Sequence, residues 1–168
     1  MRTPPEDFDI RYSSLDDLSF LERCFSDLKE REPFPFESDH ETQESLKNWI
    51  GFSRYFASLT GTLSQEPCAV GTLFLMPYRK VAHHASFFLI VDPKFRRRGI
   101  GTSMIRNLMH LGKTRFRLES LHVEFYEPNE PFRALLEVLN FKPFAVQDHF
   151  FKMGSTMRPR VLMEHFFS

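Results

Sequence analysis

The chain has 168 residues, about one domain's worth, and 42% of them are hydrophobic, enough to fill one core and to exclude wholesale disorder. Its 22 Lys and Arg balance its 22 Asp and Glu, which argues against a nucleic-acid partner, because such proteins are normally strongly basic. No segment approaches the ~20 apolar residues of a membrane span, and no apolar run follows Met1-Arg2-Thr3-Pro4-Pro5, so no membrane partner and a cytoplasmic location are expected.

Phe8 to Tyr12 reads as a short strand. Ser14 is a plausible helix N-cap, with Asp16 and Asp17 suiting the dipole of the first turn. Leu18, Leu21, Phe25 and Leu28 then fall on one helical face. Glu30 to His40 holds two prolines and no period, so it is a loop, and a second helix runs from about Glu41 to Ile50. Arg54 to Thr60 reads as a strand and Gly61 to Pro67 as a turn. Cys68 to Met76 and Ala82 to Val91 read as two strands of a hairpin. Cys24 and Cys68 stand far apart with no CxxC spacing and read as buried thiols. Phe87-Phe88-Leu89-Ile90-Val91 is apolar on both faces, which fits a central strand. Gly99 to Phe116 is the strongest helix. Leu118 to Phe125 is a strand, Pro131 to Leu139 a helix, and Phe141 to Met153 and Val161 to Phe167 are final strands. The order predicts one mixed α/β domain over residues 1–168, not an alternating doubly wound one.

The informative stretch is Leu89-Ile90-Val91-Asp92-Pro93-Lys94-Phe95-Arg96-Arg97-Arg98-Gly99-Ile100-Gly101-Thr102. A buried strand ends, a basic loop follows, two glycines open a turn, and a long helix begins. The first amides of a helix lack intrahelical partners and carry the positive end of its dipole, so this is an anion site suited to phosphate. No Lys follows either glycine as a P-loop requires, and Met104 occupies the third glycine position of a dinucleotide fingerprint. The pattern RxxGxG, met by Arg96, Gly99 and Gly101, remains.

This pattern, placed between strand and helix, resembles the GNAT N-acetyltransferases, which use acetyl-CoA. Val123-Glu124-Phe125-Tyr126-Glu127-Pro128-Asn129, followed by Leu135-Leu136-Glu137-Val138-Leu139-Asn140-Phe141, is similar to that family's strand–Asn–helix segment. The resemblance implies a mixed, mostly antiparallel sheet of six to seven strands flanked by about four helices. It implies no metal, and acetyl-CoA held by Leu89, Ile90 and Val91 on the strand, by Arg96, Arg97, Arg98, Gly99, Ile100, Gly101 and Thr102 in the loop, and by Asn129. Asn140 stands where the family has Gly, and Asn also enters the left-handed region. The family's Tyr, which protonates the leaving thiolate, falls on Leu136.

Acetyl transfer to an amine needs a neutral nucleophile and hence a proton acceptor. Glu124 is the first candidate, since acetyltransferases of the ribosomal-protein alanine type carry a catalytic Glu five residues before that Asn. His84, with His83 beside it, is the second, and Tyr126 is the candidate replacement acid. Glu30, Glu32, Glu37, Asp39, Glu41 and Glu44 form an acidic stretch that would steer a cationic acceptor if it rims the site. The phenylalanines at 34, 36, 52 and 56 read as core, and the pairs at 150–151 and 166–167 fit a strand edge or a homodimer contact. The expected activity is acetyl transfer to a small-molecule or protein amine in a ternary complex. A CoA-binding module with weakened catalysis is the alternative.

Overall fold

The computed structural model describes residues 2–168. Seven strands form one sheet in the order β1-β2-β3-β4-β5-β7-β6. They are β1 (Phe8–Tyr12), β2 (Ser58–Leu63), β3 (Glu66–Leu75), β4 (His84–Val91), β5 (Ser120–Tyr126), β6 (Lys142–Met153) and β7 (Thr156–Phe166). Every neighbouring pair is antiparallel except β4 and β5. The helices are α1 (Leu18–Phe25), α2 (Leu28–Arg31), α3 (Asp39–Gly51), α4 (Ile100–Thr114) and α5 (Glu130–Val138). No helix among the described residues is long and apolar enough to cross a membrane.

The expected mixed α/β, mostly antiparallel sheet is present, with five helices rather than about four. The first predicted helix breaks after Phe25, because Asp27 leaves the helical region and its carboxylate accepts from Lys29 N (2.9 Å), starting α2. β2 begins at Ser58, not Arg54, because residues 52–55 form a 3₁₀ turn closed by Phe56 in the left-handed region (φ 57°). Gly61 lies inside β2 rather than in a turn. A Cβ there would sit 2.8 Å from the Phe8 ring, so the glycine admits β1. The hairpin turns instead at Ser64 and Gln65, both with positive φ.

The sheet is covered on both faces. On one, Ile100, Met104, Ile105 and Leu108 of α4 pack over Ala69, Leu73, Ala85, Phe87 and Leu121. On the other, Phe20, Leu21 and Phe25 of α1 and Leu46 and Ile50 of α3 pack over Val70, Phe88 and Ile90. Trp49 stacks on Phe88 at 4.0 Å. Phe34 and Phe52 are half-buried and Phe36 buried, as core residues should be, whereas Phe56 stays half exposed. The cysteines are buried free thiols, and burial pushes Cys24 up to about 12 and Cys68 to about 11.

One buried polar group ties the first turn after β1 to the sheet. Asp17 receives two bonds from Arg11 (2.8 Å each), one from Ser14 N (2.9 Å) and one from Thr60 Oγ1 (2.9 Å). Hydroxyls of Ser13, Ser58 and Thr72 extend the network across β2 and β3. Burial disfavours the Asp17 charge, but these donors outweigh it and hold the carboxyl below its ordinary range. A depressed carboxylate stabilises the fold fully above its unfolded value near ~3.9, and the contribution fades as pH falls through the folded value. Asp17→Asn should therefore cost about 2–3 kcal/mol near neutrality, and in denaturant titrations the gap to the parent should narrow towards about pH 3.

Candidate active site

β4 pairs with β3 along its length, from Leu75↔Ala85 to Ala69↔Val91. With β5 it pairs over three positions only: His84↔Ser120, Ala85↔Leu121 and Ser86↔His122. Beyond Ser86 the two strands part. Along Phe87–Val91, alternate residues turn their N–H and C=O groups into the opening, where backbone polar groups require partners. The predicted strand contacts Leu89, Ile90 and Val91 all lie on this stretch.

The loop past Val91 closes on itself. Asp92 is buried and accepts from Lys94 N (2.9 Å), starting a 3₁₀ turn over Pro93–Phe95. Arg96 Nε donates to Val91 O (3.0 Å), and its guanidinium is paired with Glu30. The first residue of the motif thus anchors the loop to α2. Arg97 (φ 65°) and Gly99 (φ 83°) are both left-handed, and the loop delivers the chain into α4. The first helical bond runs from Ser103 N to Gly99 O (3.1 Å), so the amides of Ile100, Gly101 and Thr102 lack intrahelical partners. A Cβ on Gly101 would lie 3.3 Å from Leu135 of α5, which places this first turn against the other arm of the opening. Asn129 precedes α5 on that arm, and its side chain makes no capping bond. Arg97 and Arg98 are exposed, with Arg98 over the Phe95 ring. The predicted cofactor residues thus lie on β4 beyond its pairing with β5, on the turn into α4 with its three amides lacking intrahelical partners, and at the start of α5.

Strand alternation sets the face opposite α4. Ala85, Phe87, Leu121, Val123 and Phe125 point to the α4 core, so Ser86 of β4 and His122, Glu124 and Tyr126 of β5 share the other face. Glu124 is exposed, its carboxylate 2.9 Å from Arg160 Nη1. Arg160 also donates to Gln147 (2.8 Å) and lies 4.0 Å over the Phe150 ring. Tyr126 is buried beneath Phe151, stacked at 4.3 Å, and burial and then Glu124 raise its phenol. The 150–151 pair lies on β6, the edge strand of the sheet. His84 shares a hydrogen bond with Ser120 Oγ and carries the His83 ring at 3.9 Å. It lies in the paired part of β4, before the strands part. Leu136 is fully buried, so no side chain reaches the opening from that position.

The residue missed from the sequence is His122. It is half-buried, two positions before Glu124, across from Glu164 and opposite Ser86, the last paired residue of β4. Burial and then His84 press its imidazole below the usual histidine range, while Glu124 and Glu164 pull weakly the other way. This favours the neutral imidazole, the form that can accept a proton. A polar position at period two on β5 was visible in the sequence; its place at the fork was not.

Four of the six residues of the acidic stretch are engaged locally. Glu30 pairs with Arg96, Asp39 with Arg31 and Glu44 with Lys47, and Glu41 accepts from the Glu37 and Ser38 amides at the start of α3.

Comparison with known proteins agrees with this geometry. An N-alpha-acetyltransferase of Sulfolobus acidocaldarius is 26% identical over 153 residues, spanning 88% of this chain and 87% of that protein. The structure of yncA from Salmonella typhimurium with its cofactor acetyl-CoA superposes with a TM-score of 0.83 over 97% of this chain and 95% of that one, at 11% identity. Ribosomal-protein-alanine N-acetyltransferase from Brucella melitensis superposes with a TM-score of 0.82 over 95% and 99%, at 15% identity. These two likenesses concern the fold. The family model for GNAT acetyltransferases matches residues 21–141, the span that carries the split strands, the phosphate cradle and α5, and the chain belongs to that acetyltransferase family.

Proposed function

We propose that the chain, acting as one unit over its 168 residues, transfers the acetyl group of acetyl-CoA to the α-amino group of a peptide or protein, by direct attack in a ternary complex. The observation that carries this reading is the early end of β4–β5 pairing immediately before a left-handed, glycine-bearing turn into α4. The unpaired edge of Leu89, Ile90 and Val91 matches the amides of a pantetheine arm. The turn from Arg96 to Thr102 matches a pyrophosphate, and Asn129, at the start of α5, is the further side chain assigned to the cofactor. Acetyl-CoA supplies the electrophilic thioester carbonyl and a thiolate leaving group. Backbone N–H groups at the end of β4 supply donors for the developing oxyanion.

The acceptor class follows from the proton acceptor. An α-amine has a pKa of ~7.8 and a lysine amine ~10.4, so deprotonating the α-amine is easier by about 3.5 kcal/mol. A neutral imidazole suits the first and is a poor match for the second. As nitrogen bonds to the carbonyl carbon, its proton passes to His122, and Glu124 and Glu164 stabilise the imidazolium. Burial, and after it His84, favours the neutral ring beforehand. Tyr126, held protonated by burial, is the proton source for the departing sulfur, because Leu136 is sealed in the core. The name of the Sulfolobus relative supports an α-amine acceptor. Buried free thiols fit a cytoplasmic setting.

Gly101→Asp forces a carboxylate against Leu135, Leu89 and Val91 beneath the turn and should abolish acetyl-CoA binding in calorimetry, with ATP and NAD as controls and circular dichroism melting to show that the variant is folded; retained binding would overturn the cofactor assignment. His122→Gln should lower kcat by ~10²–10⁴-fold with acetyl-CoA affinity unchanged, and should remove the acidic limb of the pH–rate profile. Glu124→Gln should move that limb to lower pH, since Glu124 raises the His122 pKa. Identical profiles for parent and His122→Gln would remove His122 as the base.

A further inference from the structure

Ahead of β1 the chain does not hang free. Phe8 N donates to Pro5 O (3.1 Å), and Asp7 is bound to Ser64 through both its carbonyl and its carboxylate. Pro4 and Pro5, both half-buried and with φ fixed by their rings, carry the backbone from there to the cradle. The backbone of Arg2–Pro4 lies directly on Gly99. A Cβ on that glycine would be 2.5 Å from Arg2 O and 3.0 Å from Pro4 N. Arg2 Nη1 donates to Arg97 O, so the strap is bonded to both left-handed positions of the loop or packed against them.

The charge balance gives the contact a second meaning. Arg96 is neutralised by Glu30 and bonded to Val91 O, and Arg98 lies on the Phe95 ring. Arg2 adds a cation to the loop. One of its five N–H donors is used on Arg97 O, which leaves a fork able to take a phosphate.

We infer that the segment Arg2–Pro5 is part of the cofactor site: it clamps the phosphate turn in its left-handed form, and Arg2 binds a phosphate of CoA. The inference rests on the acetyl-CoA reading above. It also explains Gly99 beyond its backbone angle, since any side chain there would expel the strap.

The test is calorimetry of the full chain, Arg2→Ala and Arg2→Lys with CoA and with dephospho-CoA, at low and moderate salt. Circular dichroism melting confirms that each variant is folded. Arg2→Ala should bind CoA about tenfold more weakly than the parent and with a flatter salt dependence. Arg2→Lys should recover part of the affinity, because it keeps the charge and loses the fork. A loss for both ligands assigns Arg2 to the pyrophosphate, and a loss for CoA alone assigns it to the 3′-phosphate; either supports the inference. In the cofactor-free protein, hydrogen exchange at the amides of Arg97 to Gly101 should accelerate in Arg2→Ala. Equal affinity in all three proteins overturns the inference. So does tighter binding by Arg2→Ala, which would make the strap an obstruction. If the parent itself binds no CoA, the acetyl-CoA reading falls, and the strap's role with it.

Discussion

The structure depends on a parallel pairing that stops after three positions. In a continuous sheet, each buried backbone group of a central strand finds its partner in the next strand. β4 keeps that arrangement on the β3 side up to Val91, while on the β5 side it ends at Ser86. The opening is maintained because β4 is held on both of its faces. Phe87 sits edge-on to Phe141 at 5.7 Å on one face, and Phe88 stacks on Trp49 on the other. β5 is held from its far side by β7 along its length. The gap is thus a supported feature of the fold, and its unpaired edge is the observation on which the proposed cofactor reading rests.

From that fork the chemistry is distributed by strand alternation. The side of the sheet carrying α4 receives apolar residues and the phosphate turn. The other side receives Ser86, His122, Glu124 and Tyr126. One strand therefore serves as core wall on one face and carries the proposed reacting groups on the other, residue by residue. Arg160, from β7, joins that surface and ties Glu124 to the aromatic cover of Phe150 and Phe151.

How much of this the sequence discloses depends on the range of the interaction. The phosphate turn is legible because a strand end, an Arg, two glycines and a helix start all lie within a few residues. Asn140 is legible for the same reason, and it adopts the left-handed angle expected of it (φ 61°). Element boundaries fail where the deciding contact is distant. Gly61 looks like a turn residue until Phe8 is placed over it. The break between α1 and α2 rests on a local Asp27 cap masked by an unbroken apolar period. His122 is hardest to see, because its meaning comes from lying opposite Ser86, a register between segments more than thirty residues apart. Glu30 looks like part of an acidic rim until Arg96 is found against it.

Two polar clusters show why burial alone does not mark function. Asp17 is buried and charged, yet Arg11, Ser14, Thr60 and their hydroxyl neighbours satisfy it, and its charge is worth stability in that form alone. The His122 group is partly covered, stands at the mouth of the fork, and mixes signals. Burial and His84 favour the neutral ring, and two carboxylates favour the cation. Burial wins, so His122 is held below the usual histidine range, and the carboxylates moderate that shift. At Asp17 bonded donors hold the charged form against burial, whereas at His122 burial holds the neutral form against two carboxylates.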